Sequence, residues 1–113
     1  MTLLLLLGSS SLIFFLAGFI LYKFPPKEIN SLYGYRTANS MSSRERWDFS
    51  QNYSAKLMMK SALLMGVISA IALLMPIGEI LQLVIGTSFL ILFCVMLFLK
   101  TEREIKKRFA GLN

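Results

Sequence analysis

Between residues 29 and 41 the chain reads Ile29-Asn30-Ser31-Leu32-Tyr33-Gly34-Tyr35-Arg36-Thr37-Ala38-Asn39-Ser40-Met41. For a connection between apolar runs this segment is unusually rich in specific side chains. Arg36 offers five donors in a planar fork suited to phosphate or carboxylate. Tyr33 and Tyr35 could stack on that guanidinium and hold it in place. Thr37, Asn39 and Ser40 can bond nearby backbone and stiffen a turn, and Gly34 can take a positive φ. The chemistry expected here is recognition of an anionic group: a lipid headgroup, a peptide carboxylate or an acidic patch on a partner. The simpler reading is a loop whose arginine touches lipid phosphate.

Catalytic chemistry finds little material. The chain has no His and one Cys, Cys94, inside an apolar run. This excludes an internal disulfide, a His/Cys metal site and the histidine-dependent triads. Ser61 beside Lys60 is not a dyad, because adjacent helical positions do not face one another. Glu45 and Asp48 can share a helix face, but no nucleophile–base set assembles around them. The expectation is a protein that is not an enzyme and carries no cofactor or metal.

The elements around the loop follow from composition. The 113 residues are 56% hydrophobic and 16% charged, and the apolar residues gather in runs. A spanning helix needs about 20 mainly apolar residues. Three segments qualify: 3–22, 57–75 with Lys60 near its start, and 80–99. The first lacks a basic n-region and a small-residue cleavage site, so it reads as a retained helix and not a signal peptide. All twelve Lys and Arg fall either between Lys23 and Lys60 or after Leu99. The N-terminus and the Pro76-Ile77-Gly78-Glu79 turn hold none. The distribution predicts an all-α, three-span membrane protein with its N-terminus outside and its C-terminus inside. The net charge of +6 flanks hydrophobic runs and does not form one patch. Anionic headgroups, not nucleic acid, are therefore the expected partner.

Pro25-Pro26 should end the first helix, leaving 23–43 as a cytoplasmic loop. Ser42-Ser43-Arg44-Glu45 reads as a capping box with Ser42 as the cap. With no Pro before Pro76, one helix is expected over 44–75, an interfacial portion continuous with the second span. Trp47, Phe49 and Tyr53 on its first turns suit an aromatic belt, or else a lid on the preceding loop. Ala62, Gly66 and Ala70, with Ser69 beside them, form a small-residue stripe. It serves packing against another span or self-association into a homodimer. Gly86, Thr87 and Ser88 form a smaller notch in the third span. Residues 100–113 predict a basic tail helix with Glu102–Lys106 and Glu104–Arg108 pairs. Its Ile105, Phe109 and Leu112 stripe would lie along anionic headgroups, or dock a soluble regulator.

The segment from Pro25 to Lys56 resembles the SdpI family of small bacterial membrane proteins, named after an immunity protein against a secreted killing peptide. The likeness rests on Pro25-Pro26-Lys27-Glu28-Ile29-Asn30, Tyr33-Gly34-Tyr35-Arg36-Thr37, Ser40-Met41 and Trp47. It implies the bare three-span module of that family in a bacterial cell membrane. It implies immunity against an antimicrobial peptide, with signalling to a cytosolic transcriptional regulator as a further role. By motif position, Asn30, Tyr33, Gly34, Tyr35, Arg36, Thr37, Ser40 and Trp47 are its binding residues.

Overall fold

The computed structural model describes residues 1–30 and 32–110. Its elements are α1 (Thr2–Lys23), α2 (Arg44–Ile71), a 3-10 turn (Ala72–Leu74) and α3 (Glu79–Arg108), with no strand among the described residues. All three helices are long and apolar enough to cross a membrane. The molecule measures 52 × 26 × 20 Å, so its long axis exceeds a hydrocarbon core of about 30 Å. Fewer than a quarter of the residues in each apolar window are buried inside the protein. The outward faces, such as Leu12, Leu63 and Ile80, therefore need an apolar solvent.

Helix α1 stops where expected: the Phe24 N–H bonds the Ile20 carbonyl, and Pro25-Pro26 follow. Helix α2 begins one residue later than a Ser42 cap would set. Ser43 is the cap, its hydroxyl accepting from the Arg46 N–H at 3.2 Å. The Ser42 hydroxyl instead donates to the Asn39 carbonyl and accepts from Arg46 Nη1. Two adjacent serines compete for one cap position, and the preceding loop decides between them.

The buried residues of α2 (Trp47, Gln51, Ser54, Ala55, Ala62, Met65 and Ser69 among them) recur every three or four positions, as one helix face requires. Helix α1 lies along this face for most of its length, and α3 touches both helices less extensively. The small stripe forms the seam. A Cβ on Gly66 would lie 3.7 Å from Ser11 Oγ, and one on Gly8 would lie 3.8 Å from Ser69 Oγ. Ala62 and Ser69 are buried there, Gly66 is half-buried and Ala70 faces outward. The tightest approach is at Gly18, where a Cβ would stand 2.9 Å from the Ala55 carbonyl oxygen. Close backbone contact of this kind is how helices associate in lipid. Gly86 of the third-span notch takes Leu3 and Leu6. Leu3, Leu7, Met65, Ala72 and Phe93 complete an apolar core.

At the end away from the long loop, α3 caps α1. Glu79 accepts from the Thr2 N–H at 3.1 Å, and Gln82 accepts from the Leu3 N–H at 3.2 Å. These are N–H groups that a helix N-terminus cannot satisfy internally. The Gln82 amide donates to the Ile77 carbonyl, tying the turn to the same point.

Candidate functional site

At the opposite end, the 24–43 loop folds back over the helix ends as a cap. Its construction begins at Asn30, whose side-chain oxygen accepts from the N–H groups of Leu32 (2.9 Å) and Tyr33 (2.7 Å). This Asx turn sends the Tyr33 hydroxyl to the Phe24 carbonyl at 2.9 Å, over the end of α1. Gly34 then takes φ +104°, a conformation that L side chains rarely adopt. A Cβ there would also stand 2.5 Å from Gln51 Oε1 and 2.9 Å from Pro26 Cγ. Glycine is required on both counts.

Tyr35 is the hub. Its backbone N–H donates to Gln51 Oε1 at 2.6 Å, and its carbonyl accepts from Gln51 Nε2 at 2.7 Å. Its hydroxyl donates to Glu102 of α3 at 2.7 Å. Glu102 also accepts from Asn39 Nδ2 at 2.5 Å. Thr37 and Ser40 bond reciprocally: the Thr37 N–H to Ser40 Oγ at 2.8 Å, and the Ser40 N–H to Thr37 Oγ1 at 3.1 Å. Ser40 is fully buried. Trp47 is buried as well, its indole N–H donating to the Pro26 carbonyl at 2.8 Å. Buried polar groups thus meet partners, as stability demands.

The electrostatics follow from this network. Burial, then the hydrogen bond and charge of Glu102, push the Tyr35 phenol well above its ordinary value, which fixes it as a donor at neutral pH. Glu102 lies beyond the apolar run that ends at Leu99. Its burial opposes ionisation, but the bonds from Thr37, Asn39 and Tyr35 prevail and hold its carboxyl below the ordinary value.

Six of the eight motif residues therefore hold the loop in shape through side-chain bonds or backbone conformation: Asn30, Gly34, Tyr35, Thr37, Ser40 and Trp47. Tyr33 staples the loop to α1, and Arg36 stands exposed on the outer surface. The two tyrosine hydroxyls are directed to the Phe24 carbonyl and Glu102. Trp47 acts as a lid on the loop and not as a belt residue. Phe49 and Tyr53 stack at 5.7 Å, and Phe49 meets Phe109 edge-on at 5.9 Å, with Arg108 4.9 Å over the Phe49 ring. These aromatics form a seam between α2 and α3.

That seam changes the expected tail. Residues 100–108 continue α3 without a break, and Ile105 and Phe109 turn inward, so the stripe packs against protein instead of lying along headgroups. Leu112 lies outside the described residues. Glu102 faces the loop, and among the described residues neither Glu102–Lys106 nor Glu104–Arg108 forms an ion pair; Arg44–Asp48, at 3.8 Å, is the i,i+4 pair that does. Gln51 was not singled out from sequence. Its signal was its place one turn after Trp47, on the same face. A cavity of about 280 Å³ lies beside the cap, lined by Ala17, Leu21, Tyr33, Gly34, Tyr35, Ser54 and Met58.

A model of the SdpI/YfhL protein family matches residues 27–99, from the loop through the third span. The uncharacterized protein YfhL of Bacillus subtilis (strain 168) is 45% identical over 92 residues, covering 80% of this chain and 77% of that protein. No solved structure matches the chain significantly. The Tyr-Gly-Tyr-Arg-Thr segment and the second and third spans thus lie within one matched unit, and the chain belongs to the SdpI/YfhL protein family.

Proposed function

We propose that this protein resides in the bacterial cytoplasmic membrane, N-terminus outside and C-terminus inside, and protects the cell by binding a membrane-active antimicrobial peptide. The observation that carries the reading is the cap itself. Its polar groups secure one loop conformation, with Tyr33, Gly34 and Tyr35 walling a largely apolar cavity and Arg36 exposed between Tyr35 and Thr37. Such an arrangement suits recognition of an apolar side chain and an anionic group, without bond-making. The crowding of all twelve cationic residues at the cap end supports the orientation.

The test is survival of cells expressing the protein against a panel of cationic peptides. Protection is expected, and Gly34→Val, present at normal membrane levels, should abolish it. An Arg36→Ala protein that folds normally and still protects removes the anion-binding role. Labelling a Tyr35→Cys, Cys94→Ala variant from outside intact cells would overturn the orientation.

A second reading is a membrane anchor for a cytosolic regulator. It is favoured by Arg103, Lys106 and Lys107, exposed on a helix that the Phe49–Phe109 seam holds in place. A soluble partner that co-purifies with the parent and not with a Lys106→Glu, Lys107→Glu variant would support it.

A further inference from the structure

Below the Phe49–Phe109 seam, helices α2 and α3 part. They leave a cleft of about 210 Å³ lined by Leu57, Lys60, Ser61, Leu64, Phe93, Met96, Leu97 and Lys100. The two lysines come from different helices yet sit at the same level. Lys60 lies one turn inside the apolar run of α2, and Lys100 directly follows the apolar run of α3. Both are exposed, and among the described residues neither ammonium has an ion pair, hydrogen bond or ring contact. Two other lysines at this end are engaged, Lys23 over Phe19 and Lys56 over Tyr22; Lys27, Lys106 and Lys107 make no such contact among the described residues, but they line no cleft between helices α2 and α3.

Ser61 adds a second, independent sign. Ser50, Ser54 and Ser69 on the same helix return their hydroxyls to carbonyls of the preceding turn. The Ser61 hydroxyl makes no such bond among the described residues and lines the cleft. Below these polar groups the wall is apolar, with the buried Phe93 ring beside Leu64, Met96 and Leu97.

We propose that this cleft is a binding site for an anionic phospholipid. The phosphodiester sits between Lys60 and Lys100, the Ser61 hydroxyl donates to a phosphate oxygen, and one acyl chain lies along Phe93 and Met96. Charge complementarity selects the occupant. Two unpaired cations at the depth of the headgroups call for an anion, and the apolar wall beneath calls for a chain attached to it. A basic pocket between spanning helices is a known physical solution for holding such headgroups. The inference does not depend on orientation or on peptide binding, since either leaflet could supply the lipid.

Native mass spectrometry of the full chain in nonionic detergent tests it, with phosphatidylglycerol, phosphatidylcholine of the same chains, or inorganic phosphate added. Retention of phosphatidylglycerol should exceed that of phosphatidylcholine. Lys60→Gln and Lys100→Gln should each lower it roughly fivefold. The tail variant Lys106→Gln, Lys107→Gln should leave it unchanged. Leu64→Trp, which fills the cleft and keeps both charges, should lower it as well. Parental Trp47 emission certifies the fold of the lysine variants, and a parental thermal unfolding midpoint in the same detergent certifies that of Leu64→Trp. Equal retention of the two lipids would overturn the site, as would undiminished retention in the folded cleft variants. Losses in the tail variant equal to those in the cleft variants would assign the effect to diffuse charge. Displacement of the lipid by inorganic phosphate at equal concentration would assign it to a free anion.

Discussion

The cap and the bundle beneath it are held by different physics. In the bundle, α1 and α2 meet through Gly18, Ala55, Gly66 and Ser11, where what matters is how near two backbones come. In the cap, Gln51, Glu102 and Trp47 reach backbone and side-chain partners at 2.5–2.8 Å, where what matters is which atom faces which. Lipid supplies no hydrophobic drive between helices, so the spans associate by shape. The cap, flanked by charged residues at a polar boundary, must bury amides and carbonyls and therefore associates by hydrogen bonds. One region tolerates chemistry but not size; the other tolerates neither lost donors nor lost acceptors.

This division can be broken from either side. Trp47→Ala should have the largest effect, about 3–5 kcal/mol, because it empties a buried site and orphans the Pro26 carbonyl. Hydrogen exchange should show a released loop and intact spans. Gly18→Val should cost about 1–3 kcal/mol in the opposite pattern. Exchange would then rise along the α1–α2 seam, while Gly78→Ala, which meets nothing within 4 Å, should be silent.

Acid sharpens the comparison further. A carboxyl whose folded pKa lies below its unfolded value contributes stability above that unfolded value, about 4.3 for Glu, and loses it as pH falls through the folded one. Acidification below pH ~4 should thus loosen the cap at Glu102, shifting Trp47 fluorescence. In Glu102→Gln that transition should vanish. The smallest effect concerns Thr101, buried and, among the described residues, with no partner for its hydroxyl. Thr101→Val removes an unsatisfied group at nearly constant volume, and thermal unfolding should show a gain of about 0.5–1 kcal/mol.

What could be read from the residues divides along the same line. The three apolar runs, the Pro25-Pro26 stop and the unbroken helix after Ser43 are local properties, so the helices stand where composition placed them. Of the Ala62–Gly66–Ala70 stripe, Ala62 and Gly66 lie on the packing face, whereas Ala70 points outward and its neighbour Ser69 is buried in its place. The cap was legible as a motif but not as a mechanism. Glu102 looked like the partner of Lys106 four residues away, yet its neighbours are Tyr35 and Asn39, more than sixty residues distant in sequence. Trp47 suited two roles until the position of Pro26 was known. Arg36 drew attention as the most reactive group of the loop, while Gln51, an unremarkable helix glutamine, carries both backbone groups of Tyr35.

The bridge from Tyr35 and Asn39 to Glu102 also fixes an order of assembly. Synthesis runs from the N-terminus, so the loop and the first two helices exist before Glu102 does. Until the last helix has been delivered, Tyr35 and Asn39 have nothing to close upon. Completion of the cap therefore acts as a latch that only a fully inserted chain can engage, and a polypeptide stalled after its second helix would leave the tyrosine loop open to quality-control proteases.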